Sequence, residues 1–358
     1  MALAGYAFGG VFVVLGLMLI IRAFTRPAEP AAAPPLPPAQ ISTDGMSPLR
    51  TRDSQRRPVG STIFRVLGGL TLGGIGGLII AFMYAITHLD LGGSKGRVLR
   101  LRGKAALPEV AEGAGWGDAA APNVQHLSRE ERATLAGLWL ISARMEHASI
   151  AAFSQLSLHL AALGASSELV ERTHIAALDE IRHARRCYAI ASAFAGKTLT
   201  AGRIAELATP DATPIDPIRL AIGTLVDGCV AEGVAADVAR TASTVATDPV
   251  VRDALAMIAR DEETHAELAW SVLAWCLELR GVRRAVAARV ARLDDELAPK
   301  LPDLGGFSAA GLAAHGVLDQ ARIGALAAAR IAAVRERASL LVAERSHAEC
   351  EPPRATAA

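Results

Sequence analysis

The sequence predicts an all-α protein: a four-helix bundle with extra C-terminal helices, preceded by two N-terminal transmembrane helices. Three observations carry this. Hydrophobic residues make up 51% of the chain but aromatics only 4%, and much of the apolar share is Ala, which packs helices rather than sandwiches or barrels. Two hexapeptides of nearly the same wording recur, Asp179-Glu180-Ile181-Arg182-His183-Ala184 and Asp261-Glu262-Glu263-Thr264-His265-Ala266. Two uncharged apolar runs, residues 3–21 and 66–87, are each long enough to cross a bilayer.

The chain divides accordingly. Residues 1–90 form a membrane anchor, with a Pro/Arg-rich linker at 27–60 between its spans. No Lys or Arg precedes the first run, and Arg22 and Arg26 follow it, which favours an uncleaved anchor over a signal peptide. In the second run Gly69, Gly73 and Gly77 recur every fourth residue, a face on which another helix, such as a second copy of the chain, can approach closely. Seven Arg between the runs (Arg22, Arg26, Arg50, Arg52, Arg56, Arg57, Arg65) favour a cytoplasmic linker. Lys95, Arg97, Arg100, Arg102 and Lys104 pull the other way. The balance places the C-terminal part on the outer side of a cytoplasmic membrane.

Residues 91–127, rich in Gly, Pro and Ala, read as a connector laid on the domain surface. The bundle occupies 128–281. Ser128-Arg129-Glu130-Glu131 is a capping-box start, and Gly164 and Gly196 are stops for the first two helices. Asp216-Pro217 and Asp248-Pro249 each place an N-cap before a first-turn proline and open the third and fourth helices. The connection from about Lys197 to Asp216 is long enough to run the length of a bundle. Residues 282–299 look helical, 305–315 looser, and a last helix covers about 317–344 within a C-terminal region of 282–345. Residues 346–358 form a tail.

Each hexapeptide presents a Glu and a His on one helix face, one turn apart, where both can reach a single ion. One helix earlier in each hairpin stands a further Glu in an Ala-rich apolar run, Glu146 and Glu232. The turn near Gly164 lies about midway between Glu146 and Glu180, and the turn near Asp248 about midway between Glu232 and Glu262, so both hairpins set their ligands at matching heights. One Glu from each of two helices and Glu-x-x-His from each of the other two is the di-iron or di-manganese constellation of helical bundles. Four carboxylates balance two divalent ions, and mixed oxygen and nitrogen ligation suits iron or manganese.

The wording Glu146-His147-Ala148-Ser149-Ile150-Ala151-Ala152-Phe153, together with the first hexapeptide and His265-Ala266-Glu267-Leu268-Ala269-Trp270, is similar to ferritin-like domain proteins of the di-iron carboxylate superfamily. The resemblance covers about 128–280. It implies a ferritin-like bundle in which Glu180 and Glu262 bridge two iron ions (or two manganese ions), Glu146 and Glu232 are terminal ligands, and His183 and His265 supply one imidazole each.

Other residues near the pattern carry smaller expectations. Asp179 and Asp261 can orient a His or a neighbouring Arg, and His147 stands one step off the Glu146 direction. Cys187, Cys229 and Tyr188 lie near the pattern, with buried packing as the simplest role for the thiols, while His159 and His174 read as ordinary helix residues. Cys187, Cys229, Cys276 and Cys350 form no C-x-x-C, which removes a zinc ribbon or a built-in rubredoxin-type iron site. A net charge of +1 gives no reason to expect nucleic acid. The functional expectation is a membrane-anchored oxidoreductase acting on oxygen, peroxide or a small or membrane substrate, supplied with electrons by a separate donor. Iron handling and a non-catalytic, metal-stapled module are the alternatives, and the bundle or the Gly-rich span could pair two copies.

Overall fold

Ser128 opens the first long helix, α1 (Arg129–Ala162), with both halves of a capping box: its hydroxyl accepts from the Glu131 N–H at 3.2 Å, and Glu131 Oε2 accepts from the Ser128 N–H at 2.8 Å. α2 (Ser167–Ala195) is capped by Ser166 and stops at Gly196, whose φ of 67° is left-handed and free of cost only for glycine. The third rod runs through α3 (Pro217–Gly223), a π-helical segment (Thr224–Glu232) and α4 (Gly233–Val245), with helical backbone angles at both joins. Asp216 caps α3, and Asp248 caps α5 (Pro249–Cys276) by accepting from the Val250 and Val251 N–H groups. All of this is a computed structural model, which describes residues 96–101, 103–119, 121–208, 215–293 and 309–350.

The core has two apolar layers with the candidate ligands between them. One layer includes Leu135, Trp139, Tyr188, Ile190, Ala242 and Ile258; the other includes Phe153, Leu160, Leu169, Leu225, Leu268 and Leu273. α1 and α5 pass from the first layer to the second, and α2 and the third rod pass from the second to the first. The second and third rods therefore run parallel, so the connection from Gly196 to Asp216 has to return along their length. Its described part includes β4 (Leu199–Ala201) and a 3-10 turn (Ala205–Ala208). β4 pairs antiparallel with β3 (Val110–Glu112), while β1 (Arg100–Leu101) and β2 (Lys104–Ala105) form a small hairpin.

After α5 come α6 (Val282–Val290), α7 (Ala309–Ala314) and α8 (Gln320–Cys350). α8 is tied to the third rod and α5 by charge. Arg330 bonds both oxygens of Asp237 at 2.7 Å and reaches Glu263, and Arg337 bonds Glu267 at 2.7 Å while covering the Trp270 ring.

The structure departs from the sequence expectation in three places. The connector does not simply lie on the surface: Arg97, Val98, Leu99 and Ala106 are buried, because residues 96–99 enter the domain beside the third rod. Arg97 is thus an interior residue of the domain. The π-helical segment was not foreseen. α5 ends at Cys276, short of Gly281. α6 covers Val282–Val290, and residues 294–299 of the expected helical stretch lie outside the described residues. The expected spans 3–21 and 66–87, the linker 27–60 and the end of the tail lie outside the described residues. Among the described residues no helix is long and apolar enough to cross a membrane.

Gly228, inside the π-helical segment, is where the third rod, α5 and Arg97 meet. A Cβ there would stand 2.4 Å from the Ala269 Cβ and 2.6 Å from Arg97 Nη2. Gly228→Ala is therefore expected to destabilise the domain by about 1–3 kcal/mol, read as a lowered midpoint in thermal or urea unfolding.

Candidate metal centre

Four rods deliver the six expected ligands to one place. Glu146 comes from α1, Glu180 and His183 from α2, Glu232 from the last residue of the π-helical segment, and Glu262 and His265 from α5. They form two groups, Glu146–Glu180–His183–Glu262 and Glu180–Glu232–Glu262–His265, and in each group one atom per residue lies within 4.8 Å of all the others. Glu180 and Glu262 belong to both groups. The i,i+3 spacing brings each His onto the face of its own Glu, and the antiparallel hairpins bring the faces together.

Burial makes the arrangement unusual. Glu180 and Glu232 are 0% exposed, Glu262 is 1% and His265 2%, while Glu146 is the more open member. Both oxygens of Glu180, Oε2 of Glu232, Oε2 of Glu262 and Nδ1 of both histidines are buried without a hydrogen-bond partner. His183 Nδ1 stands 3.6 Å from Glu180 Oε2 and 3.8 Å from Glu146 Oε2 and Glu262 Oε1. His265 Nδ1 stands 3.4 Å from Glu180 Oε1 and 3.7 Å from Glu262 Oε2. These gaps are too wide for hydrogen bonds but suit ligands placed around an ion with bonds of about 2.1 Å. Buried polar atoms that face only one another are costly, and a cation between them removes the cost.

The outer nitrogens of the two rings are fixed by a crossed pair of acids. His183 Nε2 donates to Asp261 Oδ2 at 3.0 Å and His265 Nε2 donates to Asp179 Oδ2 at 3.2 Å, so each ring is held by the Asp of the opposite hexapeptide. An ionised carboxylate only accepts, so a proton is held on Nε2 and Nδ1 faces the centre, where it can offer a lone pair once any proton on it is displaced. Arg182 bonds Asp179 and lies 3.6 Å from Asp261, bridging the two acids. Asp261→Ala is expected to weaken metal binding about 10–100-fold without abolishing it; a competition titration against a coloured chelator would measure it.

The connector closes the other side. The Arg97 N–H donates to Glu232 Oε1 at 3.0 Å, which leaves only Oε2 to face the centre. Gly96 has a φ of 60°, and a Cβ on it would stand 3.0 Å from Glu232 Oε2 and 3.6 Å from both Glu262 oxygens. The backbone passes so near the carboxylates that a side chain has no room. The π-helical segment has a matching effect, since its wider turns set where Glu232, its last residue, emerges. Phe153 adds an apolar wall, its ring edge-on to His265 at 5.2 Å.

The charges have definite consequences. Burial raises Glu180 to about 7, reinforced by the Glu146 carboxylate and opposed by the two histidines. Burial, then the neighbouring Glu262, holds Glu232 well above the usual carboxylate range, and burial raises Glu262 as well. Burial acts to lower both histidines, but the Asp and Glu partners outweigh it and raise them well above the ordinary value. Without an ion the cluster thus holds protons in place of one.

Comparison with protein-family models, with curated proteins and with solved structures gave no match to this chain. The centre therefore rests on its own geometry. Of the neighbouring residues weighed from the sequence, only Asp179 and Asp261 touch it. Cys187 and Cys229 are in no disulfide and are buried in opposite apolar layers, which rules out a bond between them. Tyr188 is buried in the layer with Cys187, with its hydroxyl raised by burial. His147 packs edge-on against Trp116, and His174 bonds Ser157. Arg97 and Gly96 were missed. Their only sequence signal was a basic run after an apolar one, and that run reads more simply as membrane flank.

Proposed function

We propose that this chain is a ferritin-like four-helix-bundle protein, tethered by the apolar runs 3–21 and 66–87, that holds two divalent ions, iron foremost, and works as an oxidoreductase. The observation that supports this reading best is the set of buried, unpartnered oxygen and nitrogen atoms of Glu180, Glu232, Glu262, His183 and His265 facing one another at ligand spacing. Glu180 and Glu262 would be shared by the two ions, with Glu146 and His183 completing one set and Glu232 and His265 the other. Bound there, iron would supply the electron transfer by which oxygen or peroxide is reduced.

The chain's own residues do the rest. Asp179 and Asp261 hold the imidazoles as Nδ1 ligands and keep the Nε2 protons in place. Residues 96–99, with Phe153, exclude water on the Glu232 side, where a low dielectric strengthens every charge interaction. Glu146, the least buried carboxylate, stands on the side open to solvent and can pass protons. No electron-transfer centre is evident in the sequence, so electrons would come from a separate donor.

The test is metal analysis of the purified full-length chain, followed by oxygen and peroxide consumption with an added reductant. Two ions per chain with reductant-dependent consumption is the expected result. Two manganese ions with peroxide dismutation would move the activity to a catalase, and no metal after anaerobic loading with ferrous iron would end the reading.

A further inference from the structure

A cavity of about 330 Å³ adjoins the candidate metal centre, and Arg97 is common to both. We propose that it binds a small organic monoanion, a carboxylic acid of benzoate size, with its carboxylate paired to Arg219 and its apolar part against Leu156 and Leu220.

The lining is built for such a ligand. Leu156 and Leu220, both buried, form an apolar wall. In the lining the Thr224 hydroxyl is fully buried and has no hydrogen-bond partner, and the buried Arg97 Nε has none either, standing 3.9 Å from Glu232 Oε1. Buried donors without a partner in a cavity lining favour a ligand that carries polar atoms.

Charge selects the sign. The acids of the lining are already engaged: Asp216 caps α3, and Asp227 stands 3.6 Å from Arg100. Arg219, exposed at the rim, has no acid within ion-pair reach among the described residues, and it stands close enough to His159 to help burial lower that imidazole. His159 is thereby kept neutral, and Arg219 is left as the cation available to a carboxylate.

The binding claim does not depend on metal, but the purpose of the ligand does. Arg97 donates its N–H to Glu232 and lines the cavity, so a bound acid would lie next to the oxidising centre under the reading above.

The test is calorimetric titration of the full-length protein, with and without metal, using benzoate, the neutral isostere benzamide, and inorganic phosphate. Benzoate is expected to bind in both forms, with benzamide at least about tenfold weaker, a difference of about 1.4 kcal/mol. Arg219→Gln, at an exposed position that leaves the fold alone, should weaken benzoate by a similar factor while metal content stays unchanged. Thr224→Val should weaken it less. Equal binding of benzoate and benzamide, phosphate binding as tight as benzoate, or indifference to Arg219→Gln would overturn the proposal. Loss of metal from the wild-type chain would instead strike the metal reading and leave the benzoate result standing.

Discussion

Stripping metal from the purified protein is expected to lower its melting temperature by about 10 °C. An ion present at about a thousand times its dissociation constant stabilises the folded state by roughly 4 kcal/mol. Each kcal/mol moves the midpoint of a domain this size by about 2–4 °C. The shift should also depend on pH, with a definite sign. In the metal-free protein Glu180 is raised to about 7 from 4.5, and Glu232 and Glu262 are raised too, so the folded state retains protons that the unfolded chain releases. The folded state binds more protons, so stability falls as pH rises through this interval. The raised histidines act in the same direction: their stabilisation is complete below 6.5 and is lost as pH climbs through their higher folded values. Chelated protein should therefore melt at lower temperature near pH 8 than near pH 5, by a few kcal/mol at most, since one pKa unit is worth about 1.4 kcal/mol. The metal-loaded protein should show the opposite trend, because ligands must lose protons to bind. Scanning calorimetry at several pH values, with and without chelator, measures both. A chelated protein whose midpoint ignores pH would contradict the burial of these acids.

Glu262→Gln should separate stability from metal binding. Glu262 is shared by both ligand groups, so the substitution is expected to reduce bound metal from two ions to none or one, measured by elemental analysis. The same change removes a buried negative charge that now repels Glu232 and Glu180. Metal-free Glu262→Gln should thus melt above the metal-free wild type at pH 8, by about 1–3 kcal/mol, the cost of a poorly paired buried polar group. A residue placed only for packing would give the reverse, a variant weaker in every condition. Opposite signs in the two assays would mark the cluster as one kept for binding at the expense of the fold.

The candidate ligands were legible because their geometry is local. Glu180 with His183, and Glu262 with His265, are one-turn pairs whose shared face follows from 3.6 residues per turn. The caps at Ser128, Asp216 and Asp248 set the helix starts, and these in turn set the heights of Glu146 and Glu232. Helical periodicity and the caps thus brought these side chains together, with the turn at Glu232 adjusted by the π-helical segment.

What the tertiary structure alone decided has no local cause. The crossing of His183 to Asp261 and His265 to Asp179 depends on how closely α2 and α5 face each other, which no spacing within either hexapeptide encodes. The π-helical segment ending at Glu232 reflects how the third rod packs against α5 and Arg97, with Gly228 allowing the approach. Residues 96–99 read as a polar connector, yet their backbone closes over Glu232 because a carboxylate buried at 0% exposure needs a donor. Side-chain direction along a helix follows from the chain's own geometry, whereas the partner met across a gap follows from the packing of the whole domain.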